Sequence, residues 1–447
     1  MIGHGKRCTA AALALAATLT PTAAAHAAPV APASAAASDP VRALDCIAHP
    51  LRSAKPGTGT ADLRALGVMV GDAKVVGVGE ATHGSHEFFA LKDRVFRYLV
   101  EQKGFTTFAL EISWSAGLRI EDYLQRGDGD RDARQIVHEV MAGSPWDRAE
   151  FATLIQWMRD HNLQHPDRPV HFLGDDIGAP SIDERVFDSV TDHVRRTRPE
   201  SLPRLNELLT GLRPLDDAIA YLDRPLAERQ RNAAKAKQVL DFVQRQRSGG
   251  GEDFEFVLQN ARNIAQTYTF LSVNPGDQGS LTAMQRYRDQ VMAETTAWWQ
   301  RRTGGRILMS AHNDHAGYAA SDPTTYPKTQ GSFLRDTLGA DYLAIGTTFD
   351  RGSFLSKDQA LGGEWKKFTV GPSAPGTNEH TLDRVRHRDY YADLRTSPAT
   401  ARRWLGTARP THSVGTQYPN DKTPEVAISK AYDVLVHLHT VREAGKL

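Results

Sequence analysis

Short apolar runs recur along the chain at 75–79, 106–112, 170–174, 306–311 and 342–347, each rich in Val, Ile, Leu or Phe. Runs of that length read as interior strands of a parallel sheet. A helical pattern follows each of the first three. After the first run, Phe88, Leu91, Val95, Phe96, Leu99 and Val100 recur at helical spacing over 87–103. Strand, polar turn and helix in that order give βαβ units, so the expected class is α/β, a mostly parallel sheet with flanking helices. From residue 182 to about residue 300 there is no convincing strand, and Leu, Arg, Gln and Ala recur with helical periodicity around Val239, Leu240 and Val243 and over 257–270. The spacing predicts a helical insertion over 182–300, broken by a loop at Ser248-Gly249-Gly250-Gly251. It divides an α/β domain into 46–181 and 301–350. Residues 351–447 read as a smaller α+β part that ends in a helix over 427–442.

The N-terminus has a different pattern. Lys6-Arg7 precedes an Ala/Leu-rich run over 10–19, and Ala25-His26-Ala27 has the small-x-small form of a signal-peptidase site. Residues 1–27 are expected to be a secretory signal and the Ala/Pro/Ser-rich stretch over 28–45 a disordered leader, which makes the protein secreted. No later run approaches the ~20 apolar residues of a membrane span. The 447 residues carry a formal charge of +1 and lose two positive charges, Lys6 and Arg7, with the signal, leaving −1. Neither nucleic acid nor an anionic membrane is favoured as a partner. Cys8 leaves too, so Cys46 remains as a lone cysteine and no intrachain disulfide can form.

Candidate chemistry sits at the strand ends. The first run leads into Gly79-Glu80-Ala81-Thr82-His83-Gly84, the second carries Glu111, the third runs into Asp175-Asp176, and the fourth into His312-Asn313-Asp314-His315. Parallel strands bring such ends to one rim, where α/β sheets bind ligands. Glu80 can orient His83 as a general base, and the positive end of the following helix suits a neutral imidazole. A solvated histidine beside a helix cap is the alternative. Lys92 puts a cation on a partly buried helix face, either for a ligand or as a snorkelling side chain. Of Asp175 and Asp176, one is expected to face the cleft.

Other chemistries find no support. Ser113-Trp114-Ser115-Ala116-Gly117 lacks the first glycine of a nucleophile elbow, no Walker or Rossmann glycine pattern follows a strand, and His138-Glu139 has no second zincin histidine. No cofactor is expected. A divalent metal on His83, Glu80, Glu111, His312 and His315 stays open, although Lys92 argues against a cation there.

In this order the motifs resemble the erythromycin esterase family: Gly79 to Gly84 with Glu87-Phe88-Phe89 and Lys92, then Gly104-Phe105, Ala109-Leu110-Glu111 and Phe172-Leu173-Gly174-Asp175-Asp176. Arg288-Asp289-Gln290-Val291-Met292-Ala293, His312 to His315 and Gly346 to Phe354 complete the set. The resemblance implies an α/β domain interrupted by helices, and hydrolysis of macrolide lactones by a histidine-activated water with no covalent serine intermediate. It implies His83 as general base, Glu80 and Glu111 as orienting carboxylates and His312 as an assisting group. Lys92, where the family often has arginine, would stabilise an oxyanion or bind substrate with Asp175 and His315. The expected partner is a small-molecule ester. An exported binding protein using the same cleft, or a metal-dependent hydrolase, are the other readings.

Overall fold

The computed structural model describes residues 39–127, 129–246, 252–358, 363–420 and 423–447. The expected signal and most of the leader, and the glycine-rich break at 248–251, lie outside them. Twelve strands occur among the described residues: β1 (Ala48–Pro50), β2 (Val75–Val78), β3 (Phe105–Ser113), β4 (His171–Asp176), β5 (Arg306–Ser310), β6 (Tyr342–Asp358), β7 (Trp365–Val370), β8 (Tyr390–Asp393), β9 (Arg409–Pro410), β10 (Gln417–Tyr418), β11 (Glu425–Val426) and β12 (Val434–Val441). The main sheet runs β1-β8-β12-β6-β2-β5-β3-β4, with β7 and β10 also on β6. From β12 to β4 every neighbouring pair is parallel; β8 and β1 make an antiparallel edge, and β7 lies antiparallel on the second half of β6.

Alternation along the strands explains why this sheet needs a layer on each face. Val76, Leu308, Phe108, Leu110, Leu343 and Ile345 join one core with Phe88, Leu91, Val95 and Phe96 of the helix His86–Lys103. Val75, Ile307, Met309, Ala109 and Ala344 face a second core with Ala293 and Ala297 of the helix Gln278–Thr303 and with Ala261 and Ile264. That second layer is the helical segment read from the sequence. It holds the helices Glu184–Thr197, Leu202–Leu209, Ala218–Tyr221, Leu226–Gln244, Glu252–Phe270 and Gln278–Thr303.

Two expectations are corrected. The helix expected over 427–442 is a four-residue helix, Ile428–Ala431, followed by β12, which lies buried between β6 and β8. An apolar run covered on both faces has no polar period, so Val434, Leu435, Val436 and Leu438 fit helix and strand spacing equally. At the other end, the leader expected over 28–45 is helical from Pro40 to Asp45. The Asp39 carboxylate accepts from Val41 N at 3.0 Å, and Val41 and Leu44 are buried in a third core with Leu382, Tyr390 and Leu435. The strand expected over 342–347 continues to Asp358 because β7 and β10 pair with its second half. No described helix is long and apolar enough to cross a membrane.

Register sets the rim. Val78 pairs with Ser310, and Ser310 with Leu110. The residues just beyond, Glu80, His312 and Glu111, therefore come level, and Asn313 N donates to Glu80 O at 3.0 Å. The turn after β2 is seated on β6: Leu355 N and Ala444 N donate to Gly84 O at 3.0 and 2.9 Å. A Cβ on Gly84 would stand 2.0 Å from Leu355 O, a backbone atom that cannot move aside alone. Gly84→Ala is expected to destabilise the fold by about 3 kcal/mol, measured by urea unfolding.

Candidate active site

Short hydrogen bonds fix the turn that carries His83. Ala81 N donates to Thr347 Oγ1 at 3.0 Å, His83 N to Val414 O at 3.2 Å, and the Thr82 and Ser85 hydroxyls pair at 2.7 Å. His83 is 7% exposed, so it is no solvated cap residue. Its Nδ1 donates to Glu80 Oε1 at 2.6 Å. That bond leaves the Nε2 lone pair available as a base. The ring rests against His312 at 4.9 Å and edge-on to Trp146 at 5.7 Å, centroid to centroid.

Lys92, from the helix His86–Lys103, is 1% exposed and gives one ammonium proton to Glu80 Oε2, one to Ser310 Oγ and one to Ala311 O, the last two at 3.0 Å. All three donors are used within the protein. It is neither a snorkelling side chain nor a spare donor for substrate; it holds the carboxylate that holds His83. Burial opposes the charge on Glu80, yet Lys92 and His83 keep the carboxyl below its usual range. Burial likewise pulls Lys92 below its ordinary value, against Glu80 and Glu111.

Glu111 is the second anchor. Oε2 accepts from His312 N at 3.0 Å, and Oε1 from Arg288 Nη2 at 2.9 Å with His315 Nε2 at 3.4 Å. Burial resists its charge, but His315, Arg288 and His83 hold the carboxyl well below its ordinary range. Arg288 forks onto Asp176, Nε to Oδ1 at 3.1 Å and Nη2 to Oδ2 at 2.5 Å. His315 Nδ1 donates to Asp289 Oδ1 at 2.7 Å. Burial favours its neutral ring, but Asp289 and Glu111 overcome that and push its pKa up to about 9. His312 goes the other way: burial holds it down to about 4, with Asp314 opposing. Its Nδ1 accepts from Asp314 N at 3.2 Å, so the neutral ring carries its proton on Nε2, which is buried and without a partner.

The structure thus brings Glu80, His83, Glu111, His312 and His315 together, with Lys92 behind them. Asp175 is not on this rim. Its Oδ2 accepts from Thr296 Oγ1 at 2.9 Å and Gln330 Nε2 at 2.7 Å inside the second core layer, and burial raises its pKa well above the usual value. Asp176, one residue on and therefore on the opposite face of β4, is the one that meets Arg288. Arg288, Asp289 and Trp146 had no role in the sequence reading. Arg288-Asp289 stood in a quoted motif, but only the docking of the helix Gln278–Thr303 reveals their work; nothing local marks Trp146.

Among the described residues, the group of carboxylate and imidazole atoms close enough to share a cation is Asp350, Asp383 and His439, none of them on the rim. Arg351 already bridges the two aspartates, at 2.6 Å to Asp350 and 3.4 Å to Asp383.

Comparison with known proteins places these features in a family. A family model described as erythromycin esterase matches residues 100–441. Glu111, Asp176, Arg288, His312 and His315 lie inside that stretch, and the turn carrying Glu80 and His83 lies just before it. A protein of Escherichia coli described as erythromycin esterase type II is 24% identical over 328 residues, covering 67% of this chain and 74% of its own. A solved structure of a Bacillus cereus protein superimposes with a TM-score of 0.83 at 28% identity, covering 91% of this chain and 98% of that one. A protein described as a succinoglycan biosynthesis protein gives 0.79 at 27%, with the same coverage. An erythromycin esterase mutant, EreC in its open conformation, gives 0.69 at 17%, covering 88% and 97%, a likeness of fold.

The charge on His315 has a pH signature. Its folded pKa of about 9 lies above the ordinary ~6.5, so its contribution to stability is complete below pH ~6.5 and lost as pH rises through 9. Melting temperature measured from pH 6 to 10 is expected to fall across that window, and the fall to shrink in Asp289→Asn. Lys92→Met leaves Glu80 buried without its cation and is expected to cost about 3–5 kcal/mol in urea unfolding.

Proposed function

The chain belongs to the erythromycin esterase family of hydrolases, and from that premise we propose that it cleaves a carboxylic ester, a macrolide lactone or a similarly bulky one, by direct attack of water. The observation that carries this reading is the His83–Glu80–Lys92 chain, which fixes one imidazole as a base beside a second imidazole with an unused donor. In the first step His83 Nε2 takes a proton from water while the water oxygen bonds to the ester carbonyl carbon. The imidazolium that forms is neutralised by Glu80. Negative charge then gathers on the carbonyl oxygen, where His312 Nε2–H is the donor suited to meet it. Collapse of the tetrahedral intermediate breaks the bond to the alkoxy oxygen, and His83 returns its proton to that oxygen. Ester and water become acid and alcohol, and the enzyme ends as it began.

Glu111 works through its neighbours. It receives His312 N and is kept anionic by Arg288 and His315, so it locates the imidazole that polarises the carbonyl. A serine route has no support, because among the described residues no serine or cysteine is hydrogen-bonded to His83. A metal-independent route is favoured because Glu80 and Glu111, the carboxylates a metal would need, are each bound by a cationic side chain. The N-terminal pattern supports action outside the cell, and inactivation of an antibiotic lactone is the role that fits both features.

Incubation of the mature protein with a macrolide panel is expected to yield products heavier by one water in mass spectrometry, with chelator leaving the rate unchanged. His83→Ala should lower kcat by about 10³-fold or more, since it removes the general base together with its oriented proton acceptor. Equal turnover by that variant would sink the proposed base. N-terminal sequencing of protein recovered from the medium should begin at Ala28.

A further inference from the structure

One wall beside His83 is a turn over residues 142–148, which is firmly tied. Ser144 N donates to Met141 O at 2.9 Å, Arg148 N to Trp146 O at 2.7 Å, Ala149 N to Gly445 O at 3.0 Å, and Trp365 Nε1 to Gly143 O at 3.2 Å. Two of its side chains are more than nine-tenths buried and have donors to spare. Trp146, whose ring meets His83, has no acceptor for Nε1–H. Arg148, 5% exposed, uses Nη1 on Asp147 O at 2.6 Å and has no acceptor for Nε or Nη2.

The guanidinium of Arg148 lies 5.0 Å from the centroid of the Trp365 ring, which Lys357 Nζ also approaches at 5.5 Å. No carboxylate among the described residues forms an ion pair with it. The other buried arginines are completed within the protein: Arg94 forks onto Asp62, and Arg229 donates to the carbonyls of Arg224, Leu271 and Val273. Glu150, the nearest carboxylate along the chain besides Asp147, is taken up by His86 and by Gly445 N. A buried guanidinium left in this state is costly unless something else completes it. Burial accordingly holds its pKa below the ordinary value, with Asp147 and Glu150 opposing.

We infer that Trp146 and Arg148 form a recognition subsite, next to the catalytic histidine, for a carboxylate carried by the ester substrate. The inference rests on the ester-hydrolase reading and narrows it. A planar guanidinium with two free N–H groups matches a carboxylate, the unpartnered indole N–H two residues away offers a third donor, and Lys357 supplies further positive field. A substrate bearing an ammonium group in the same place is disfavoured by the same charges.

Two p-nitrophenyl esters test this, the hemisuccinate and the butyrate, whose acyl groups differ by a carboxylate in place of a methyl. The kcat/KM for the hemisuccinate is expected to exceed that for the butyrate by about tenfold or more, chiefly through KM, and to fall towards it as salt is raised. Arg148→Gln should bring the ratio near one, while Arg148→Lys, which keeps the charge and the stem over Trp365, should retain part of it. Equal kcat/KM in the unmodified enzyme, or a ratio unchanged by Arg148→Gln, overturns the subsite. Calorimetry with succinate on His83→Ala separates the two readings. Succinate binding with neither ester turned over upholds the subsite and removes the hydrolase reading. Butyrate turnover with no preference and no succinate binding does the reverse.

Discussion

Two ionised carboxylates buried on one rim are the constraint on which this structure turns. Glu80 is fully buried and Glu111 nearly so, and neither can stay charged there without a cation within contact. Lys92 supplies one from the helix that follows β2; Arg288 and His315 supply the other from the helix Gln278–Thr303 and the turn after β5. Elements two hundred residues apart in the chain are thereby held to one spot. The long helical excursion between β4 and β5 is accordingly more than a cover for the sheet, because its last helix returns to the rim carrying the guanidinium that Glu111 and Asp176 require.

Such pairs are a poor source of net stability, since taking both charges out of water costs nearly what their attraction returns. Their value lies in direction. Glu80 bound by Lys92 on one oxygen presents the other to His83 Nδ1 at a fixed angle, and so decides which ring nitrogen is left to act. Glu111 does the same for the backbone of His312. Apolar packing on the two faces of the sheet carries the stability, while the rim uses some of it to hold charges where water would otherwise take them.

Much of this was legible in the chain. Short β-branched runs that end in Glu, Asp or His announce parallel strands with a polar rim, and Glu80, His83, Glu111, His312 and His315 were found that way. What failed shares one cause, dependence on partners distant in sequence. β12 looked helical because its partners β6 and β8 cover both its faces and erase the polar period. Asp175 and Asp176 could not be ranked, because strand parity settles which points where and the anchor of that parity, Arg288, lies over a hundred residues away. Lys92 looked like a spare cation until Ser310 and Ala311, on the far side of β2, proved to take its remaining protons.

The two histidines after β5 show how far the fold sets chemistry. They lie three residues apart with the same side chain, and both are almost wholly buried. One is held neutral with a pKa of about 4 and the other charged with a pKa of about 9. Burial acts on both in the same direction, so the difference must come from their neighbours. His315 has a carboxylate at each ring nitrogen, Asp289 and Glu111. His312 has a backbone N–H on Nδ1, and the pull of Asp314, at 3.7 Å, and of Glu111 is countered by burial and by His83 and His315. A cation at His312 would be buried against the ring of His83, 4.9 Å away. A neutral ring at His315 would leave Glu111 with one counter-charge fewer and loosen the backbone N–H it holds. Exchanging the two states would therefore unsettle both sides of the rim at once, although every residue type on it would remain the same.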